Sequence, residues 1–145
     1  MHTRWQAGFT VFEVVTSLAI VAILITLALP IYIDFQHKAQ VTSGLRLASP
    51  VQQAVSVYHS THETFPVSNV AANIADPDEL GNRYVHSITI TDKPTPGTIR
   101  ISYRAMGSVA KGDALLLVPT GYGEDVLWDC TSMTIIKSLL PVNCR

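Results

Sequence analysis

One carboxylate stands alone in a long apolar stretch near the N-terminus. Glu13 is the only charged residue between Phe9 and Ile33, and the segment from Val14 to Ile33 carries no charge. A carboxylate in such a span is costly unless it lies at the membrane interface or finds a cationic partner. If the chain is cut before Phe9, the new α-amino group, with a pKa of about 8, lies one helical turn from Glu13. Glu13 is therefore either a residue near the membrane edge or an assembly handle that the amine of a neighbouring copy neutralises.

Two cysteines near the C-terminus, Cys130 and Cys144, form a second candidate chemical feature. Two cysteines so close in a membrane-targeted chain favour one disulfide in an oxidising compartment. The bridge would close a loop of about 15 residues and contribute about 3 kcal/mol in the chain-entropy model. The alternatives are two free thiols or half of a metal site, but no histidine or further cysteine lies nearby to complete a zinc site. We predict the disulfide.

Three further patterns resemble sites but are incomplete. His59 and His62, with Glu63 beside them, need a third ligand and a pocket before they could hold a metal. The acidic loop 76–79 lacks the glycine-centred spacing of a calcium loop. Gly121–Gly123 lacks the continuation of a nucleotide-binding loop. We therefore predict no metal site, no cofactor and no enzymatic activity.

Arg100 and Arg104, with Tyr103 between them, could form a small cationic and aromatic surface for DNA. The alternative is that these arginines are the solvated face of a strand. The formal net charge of −1 also lacks the strong basic bias of a dedicated nucleic-acid binder.

The composition indicates a membrane segment joined to one domain. Of the 145 residues 48% are hydrophobic and 14% charged, whereas soluble domains carry about 25% charged residues. The apolar excess is concentrated between Phe9 and Ile33, and as a helix the uncharged run from Val14 would be about 30 Å long, enough to cross a bilayer. An ordinary signal peptide fits poorly, because its apolar region is only about 7–15 residues long.

Helical periodicity continues beyond the apolar run. We predict one helix from about Phe9 to about Ser60, roughly 75 Å long, with kinks at Pro30 and Pro50. Its first half is too long for a small domain to bury and must lie in lipid or against other copies. Its second half has one apolar face that should dock on a sheet, formed by Val41, Leu45, Ala48, Val51, Val55 and Tyr58.

The rest of the chain predicts an α+β head. A connecting loop covers 64–82, with a possible helical turn at 70–74, and no strand–helix alternation follows it. The expected sheet is antiparallel, with about four strands and turns at 92–97 and 121–124. The predicted strands are Tyr84–Thr91, Thr98–Met106, Ala114–Val118 and Val126–Thr131.

The run Gly8-Phe9-Thr10-Val11-Phe12-Glu13, followed by an apolar stretch containing Pro30, resembles the N-terminal motif of type IV pilins and pseudopilins. The resemblance implies that a prepilin peptidase cleaves between Gly8 and Phe9 and methylates the Phe9 amine, and that Glu13 is required for methylation and assembly. Pro30 and Pro50 match prolines of the family's curved helix. The sequence departs from the common pattern at Phe12, usually Ile, at Ala22, often Gly, and in a leader with one basic residue, Arg4.

The C-terminal segments 128–130 and 140–144 resemble the disulfide-bounded region of type IVa pilins. This resemblance favours a pilin over a type II secretion pseudopilin. It implies three parts: a leader at 1–8, a transmembrane and assembly helix at 9–35, and a globular head at 36–145.

The resemblance also implies a function. The chain would be a structural subunit of a type IV pilus, a helical homo-oligomer that supports adhesion, twitching motility and possibly DNA uptake. It would meet the prepilin peptidase and the pilus assembly machinery in the inner membrane, and then host surfaces or DNA as an extracellular filament. The alternatives are a minor or DNA-binding competence pilin, a pseudopilin, and, in a different class, a monomeric membrane protein with a single span.

Overall fold

The computed structural model describes residues 8–120 and 126–145. The chain divides into two compact units between Phe35 and Gln36, and one helix, α1 (Val11–His62), contributes residues to both. Met1–Ala7 of the predicted leader and the turn predicted at 121–124 lie outside the described residues.

Helix α1 confirms the long helix predicted from the sequence. It begins two residues later than predicted and ends two residues later. Pro30 and Pro50 both lie inside it without interrupting the helix, and the kinks expected there stay predictions. After His62 the chain leaves the helix through Glu63, whose φ is 56° and whose backbone N–H donates to the His59 carbonyl over 2.8 Å.

Four strands follow as one antiparallel sheet, which confirms the predicted α+β fold. They are β1 (Val85–Thr91), β2 (Thr98–Tyr103), β3 (Ala114–Thr120) and β4 (Leu127–Thr131). Each strand pairs with the next in chain order. Ile99 lies opposite Ile90 on one side and Leu117 on the other, and this register places the alternating apolar side chains of three strands on one face.

The core forms between this sheet face and the second half of α1. The helix contributes a stripe whose members recur every three, four or seven positions, as an amphipathic helix requires. One continuous cluster joins the two layers; its helical members are Val41, Ala48, Val51 and Val55, and its strand members include Val85, Ile88, Ile90, Ile99, Ile101, Tyr103, Leu115 and Leu117.

Tyr103 ties the sheet to the helix by a hydrogen bond as well as by packing. Its side chain is fully buried, and its hydroxyl donates to the Val41 carbonyl over 2.7 Å. Burial raises the pKa of the phenol above its ordinary value, which keeps the hydroxyl protonated and able to donate. The ring lies over Gly44, where a Cβ atom would come within 2.8 Å of Tyr103 Cζ. Glycine at this helical position is therefore a packing requirement.

The loop between α1 and β1 covers the edge of the sheet that β1 forms. Asn69 is buried; its Oδ1 accepts from the Ile90 amide over 2.7 Å, and its Nδ2 donates to the Ile88 carbonyl over 3.0 Å and the Ala75 carbonyl over 3.2 Å. The Ile88 amide donates to the Pro77 carbonyl over 3.1 Å. One side chain and one loop carbonyl thus take the place of a neighbouring strand.

We expect Asn69→Ala to lower the free energy of unfolding by about 3 kcal/mol, because buried groups of Ile88 and Ile90 lose their partners and each such loss costs about 1–3 kcal/mol. The measurement is denaturant unfolding of the full chain in detergent, monitored by tryptophan fluorescence. Asn143→Ala, at an exposed position, is the matched control and should change stability by less than about 0.5 kcal/mol. Equal stability of the two variants would contradict the role given to Asn69.

Candidate assembly site at the N-terminal helix

The start of α1 is a reciprocal capping arrangement between Thr10 and Glu13. The Thr10 backbone N–H donates to Glu13 Oε2 over 3.0 Å, and the Thr10 hydroxyl donates to the same oxygen over 2.8 Å. The Glu13 amide in turn lies 3.3 Å from Thr10 Oγ1. Thr10 stands at the N-cap and Glu13 at the third helical position, which is the spacing of a capping box. The carboxylate also lies in the first turn, where the helix dipole favours negative charge.

The two residues of the predicted cleavage site precede this cap. Gly8 and Phe9 lie outside the helix and are exposed, and no atom lies within 4 Å of the position that a Cβ on Gly8 would take. The structure therefore places Phe9 beside the cap and Glu13 one turn along the helix. The sequence interpretation overlooked Thr10, although the Thr-x-x-Glu spacing is a visible capping signal.

The helix beyond the cap exposes an apolar surface on all sides. Every described side chain from Val11 to Ile33 is exposed, including large ones such as Phe12 at 77% and Ile31 at 73%. Among the described residues, α1 is the one helix long and apolar enough to cross a membrane. Soluble monomers rarely expose so large a continuous apolar area, and such surfaces mark contact with lipid or with other proteins.

The hydroxyl side chains within this segment bond back to the helix. Thr16 Oγ1 lies 2.9 Å from the Phe12 carbonyl, Ser17 Oγ 2.7 Å from the Glu13 carbonyl, and Thr26 Oγ1 2.7 Å from the Ile23 carbonyl. A hydroxyl that is satisfied by its own helix adds little polarity to the surface. The segment can therefore enter an apolar environment with its polar groups largely paired.

The C-terminal region of the head is closed by the predicted disulfide, Cys130–Cys144. Cys130 lies on β4 opposite Leu117, and Cys144 lies in a 3₁₀ turn at Val142–Cys144. Between them, Ser132 Oγ donates to the Ala114 carbonyl over 2.6 Å, and the Ala114 amide donates to Thr134 Oγ1 over 2.9 Å. The bridge and these bonds fasten the loop to the sheet.

We expect reduction of Cys130–Cys144 to lower the free energy of unfolding by about 3 kcal/mol, since the loop that it closes in the unfolded chain is about 15 residues long. Denaturant unfolding with and without reductant gives the difference. The Cys130→Ser/Cys144→Ser double variant is the control, because reductant should not change its stability. A wild-type midpoint that stays the same in reductant would contradict this prediction.

Of the two interpretations of Arg100 and Arg104, the structure supports the solvated face of a strand over a cationic and aromatic DNA surface that includes Tyr103. Tyr103 is fully buried on the core face, whereas both arginines are exposed. The Arg104 Nε donates to the Asn82 carbonyl over 3.1 Å. Strand alternation sends Tyr103 to the opposite side of the sheet, so no aromatic ring stands between the two cations.

The two histidines at the end of α1 turn to separate aromatic partners. The His59 ring stacks on Phe65 and the His62 ring on Tyr58, both with centroids 4.1 Å apart. His62 Nδ1 also lies 3.1 Å from the Tyr58 carbonyl. Within residues 8–120 and 126–145 no group of three or more potential metal ligands occurs.

The head packs a helix on a sheet, and the same helix includes an exposed apolar segment that begins with a capped carboxylate. This is the architecture of a self-associating structural subunit. The family model of the pilins of bacterial filaments matches residues 37–145. The chain belongs to the pilin family, and it is a pilus structural subunit rather than an enzyme.

Individual relatives agree with this assignment. The fimbrial protein EcpC of Eikenella corrodens is 35% identical over 148 residues, covering 100% of this chain and 94% of that protein. A fimbrial protein of Neisseria meningitidis serogroup B is 32% identical, covering 86% of this chain and 72% of its own. The type IV major pilin protein PilE1 of Neisseria gonorrhoeae is 32% identical, covering 86% and 75%.

Proposed function

We propose that this chain is made as a membrane-anchored precursor, cut between Gly8 and Phe9 by a prepilin peptidase, and polymerised into an extracellular type IV pilus through its apolar helix. Residues 1–8 are the leader, 9–35 the transmembrane and assembly helix, and 36–145 the head. The proposal rests above all on one observation: the exposed apolar side chains of residues 11–33.

The exposed segment explains why the subunit needs first a membrane and then other copies of itself. Fully burying one large aliphatic side chain is worth about 1.5–3 kcal/mol, so leaving the whole segment in water is prohibitive. A bilayer supplies an apolar environment before assembly. A bundle of equivalent helices replaces that environment in the filament, so that extraction from lipid exposes little apolar surface to water.

Cleavage before Phe9 would create the partner that Glu13 needs. The new ammonium group lies at a helix N-terminus, where the dipole disfavours positive charge. Glu13 Oε1 has no hydrogen-bond partner within the described residues, because both hydrogen bonds that this carboxylate accepts go to Oε2. The free oxygen can accept from the Phe9 amine of a neighbouring subunit, and the pair removes two charges from the apolar core of the filament.

Mass spectrometry of the mature protein tests the processing step. We expect an N-terminus at Phe9 that carries one methyl group on its amine, which keeps the positive charge. Electron microscopy of surface filaments, followed by identification of their main protein, tests the assembly step. An uncleaved N-terminus in a chain that forms no filaments would defeat the proposal and favour a monomeric membrane protein.

The same proposal places the subunit pool in the inner membrane, with the head on the far side from the cytoplasm, and gives adhesion and twitching motility as outcomes of the assembled filament. The disulfide supports a head that folds in an oxidising compartment. A strain that lacks this protein but still forms filaments, adheres and twitches would assign these outcomes to another subunit.

A further inference from the structure

The capping arrangement gives Thr10 a role that is separate from the charge of Glu13. Thr10 donates to Glu13 Oε2 through both its backbone N–H and its hydroxyl, at 3.0 and 2.8 Å. Two donors on one oxygen hold the carboxylate back over the first turn of the helix. The other oxygen, Oε1, is left without a partner among residues 8–120 and 126–145.

In the membrane and the filament of the proposed function, this arrangement matters more than it would at an exposed helix end in water. The first backbone N–H groups of a helix have no intrahelical partner, and in an apolar environment no water replaces one. The cap occupies the Thr10 and Glu13 amides. A Glu13 side chain without the cap is free to turn toward water or lipid headgroups, away from a neighbouring helix.

We propose that Thr10 is a positioning residue for filament assembly. It holds Glu13 through Oε2, so that Oε1 is presented to the Phe9 ammonium group of the incoming copy while the helix start stays satisfied. The inference rests on the proposed function and deepens it, because it assigns the geometry of the contact to the hydroxyl of Thr10 and the charge to Glu13.

Two substitutions separate the hydroxyl from the shape of the side chain. Thr10→Val keeps the shape and removes the hydroxyl, and Thr10→Ser keeps the hydroxyl and removes the methyl group. Thr16→Val is the matched control, because it makes the same change nearby at a hydroxyl that bonds only to the Phe12 and Glu13 carbonyls. Each variant is expressed as the full chain in place of the wild type.

The measured quantities are the fraction of chains with methylated Phe9, by mass spectrometry, and the yield of sheared surface filaments relative to the cleaved pool. We expect Thr10→Val to be cleaved but to give about tenfold fewer filaments, in line with the loss of a helix cap. Thr10→Ser and Thr16→Val should stay within about twofold of the wild type on the same scale.

The outcomes distinguish this inference from the proposed function. Thr10→Val filaments at the wild-type yield, or a Thr10→Ser chain as defective as Thr10→Val, would overturn the positioning role while leaving the pilus subunit intact. A Thr10→Val chain that is never cleaved would also overturn it, because Thr10 would then serve the peptidase. A wild-type chain that is not cleaved and forms no filaments would instead defeat the proposed function.

Discussion

A Glu13→Gln chain is expected to fold, insert and be cleaved, yet to yield at least about tenfold fewer filaments than the wild type. The amide oxygen can still accept from Thr10, so the helix start is preserved, but the negative charge is gone. Two opposite charges about 4 Å apart attract by about 4 kcal/mol at an effective dielectric constant of 20. Without that attraction, the ammonium group of each incoming subunit would be buried without a counter-charge. Sheared filaments, measured by immunoblot against the cleaved pool, give the yield.

Glu79→Gln is the matched control, because it removes the same charge from an exposed position in the head loop. It should assemble like the wild type, which would show that the effect does not come from net charge. The charge-pair mechanism would be refuted by a Glu13→Gln chain that polymerises normally. Glu13→Gln removes the charge and keeps the cap, whereas Thr10→Val keeps the charge and removes the hydroxyl of the cap. Comparing these two variants therefore separates the effect of the charge from that of the cap.

Replacing Gly44 by alanine is expected to lower the free energy of unfolding by about 3 kcal/mol, the upper end for overpacking a core. The expected sign is unusual, since alanine in a helix interior is normally about 1 kcal/mol more favourable than glycine. Here the added Cβ would lie within 2.8 Å of Tyr103 Cζ. The ring would have to move, and its hydrogen bond to the Val41 carbonyl would be lost. Denaturant unfolding of the full chain in detergent measures the change.

Tyr103→Phe identifies the clash as the cause. Alone it should cost about 1 kcal/mol through the lost hydrogen bond. Combined with Gly44→Ala it should cost less than the sum of the two single changes, because the phenol oxygen no longer stands against the new methyl group. A Gly44→Ala chain as stable as the wild type would show that helix and sheet can separate freely at this point.

The sequence contained enough information to predict the elements but not all the contacts between them. The helix could be predicted because apolar residues recur at spacings of three and four through Val55, and β1 and β2 because alternating isoleucines flank a turn rich in proline. The strand ends differed by up to three residues: β2 stops at Tyr103 rather than Met106. The chain turns away there as Met106 pairs with Val109 in an isolated bridge.

The residues that the sequence did not reveal act through contacts distant along the chain. Asn69 looks like an ordinary loop residue until the loop lies along β1, 19 to 21 positions away. Gly44 and Tyr103 are separated by most of the head, and no local pattern links them. The burial of Tyr103, by contrast, could be predicted, since it follows Ile99 and Ile101 in the alternation along β2.

The shielding of β1 by Asn69 and Pro77 also bears on how copies of this chain avoid joining in an unwanted way. An uncovered edge strand is a template for sheet growth between molecules and a route to irreversible aggregation. Because the amides of Ile88 and Ile90 are already occupied, this side of the head offers no free ladder to a neighbour. Sheet growth through β1 is thereby closed, whereas the contacts between helices that the proposal invokes can be undone when a filament is dismantled.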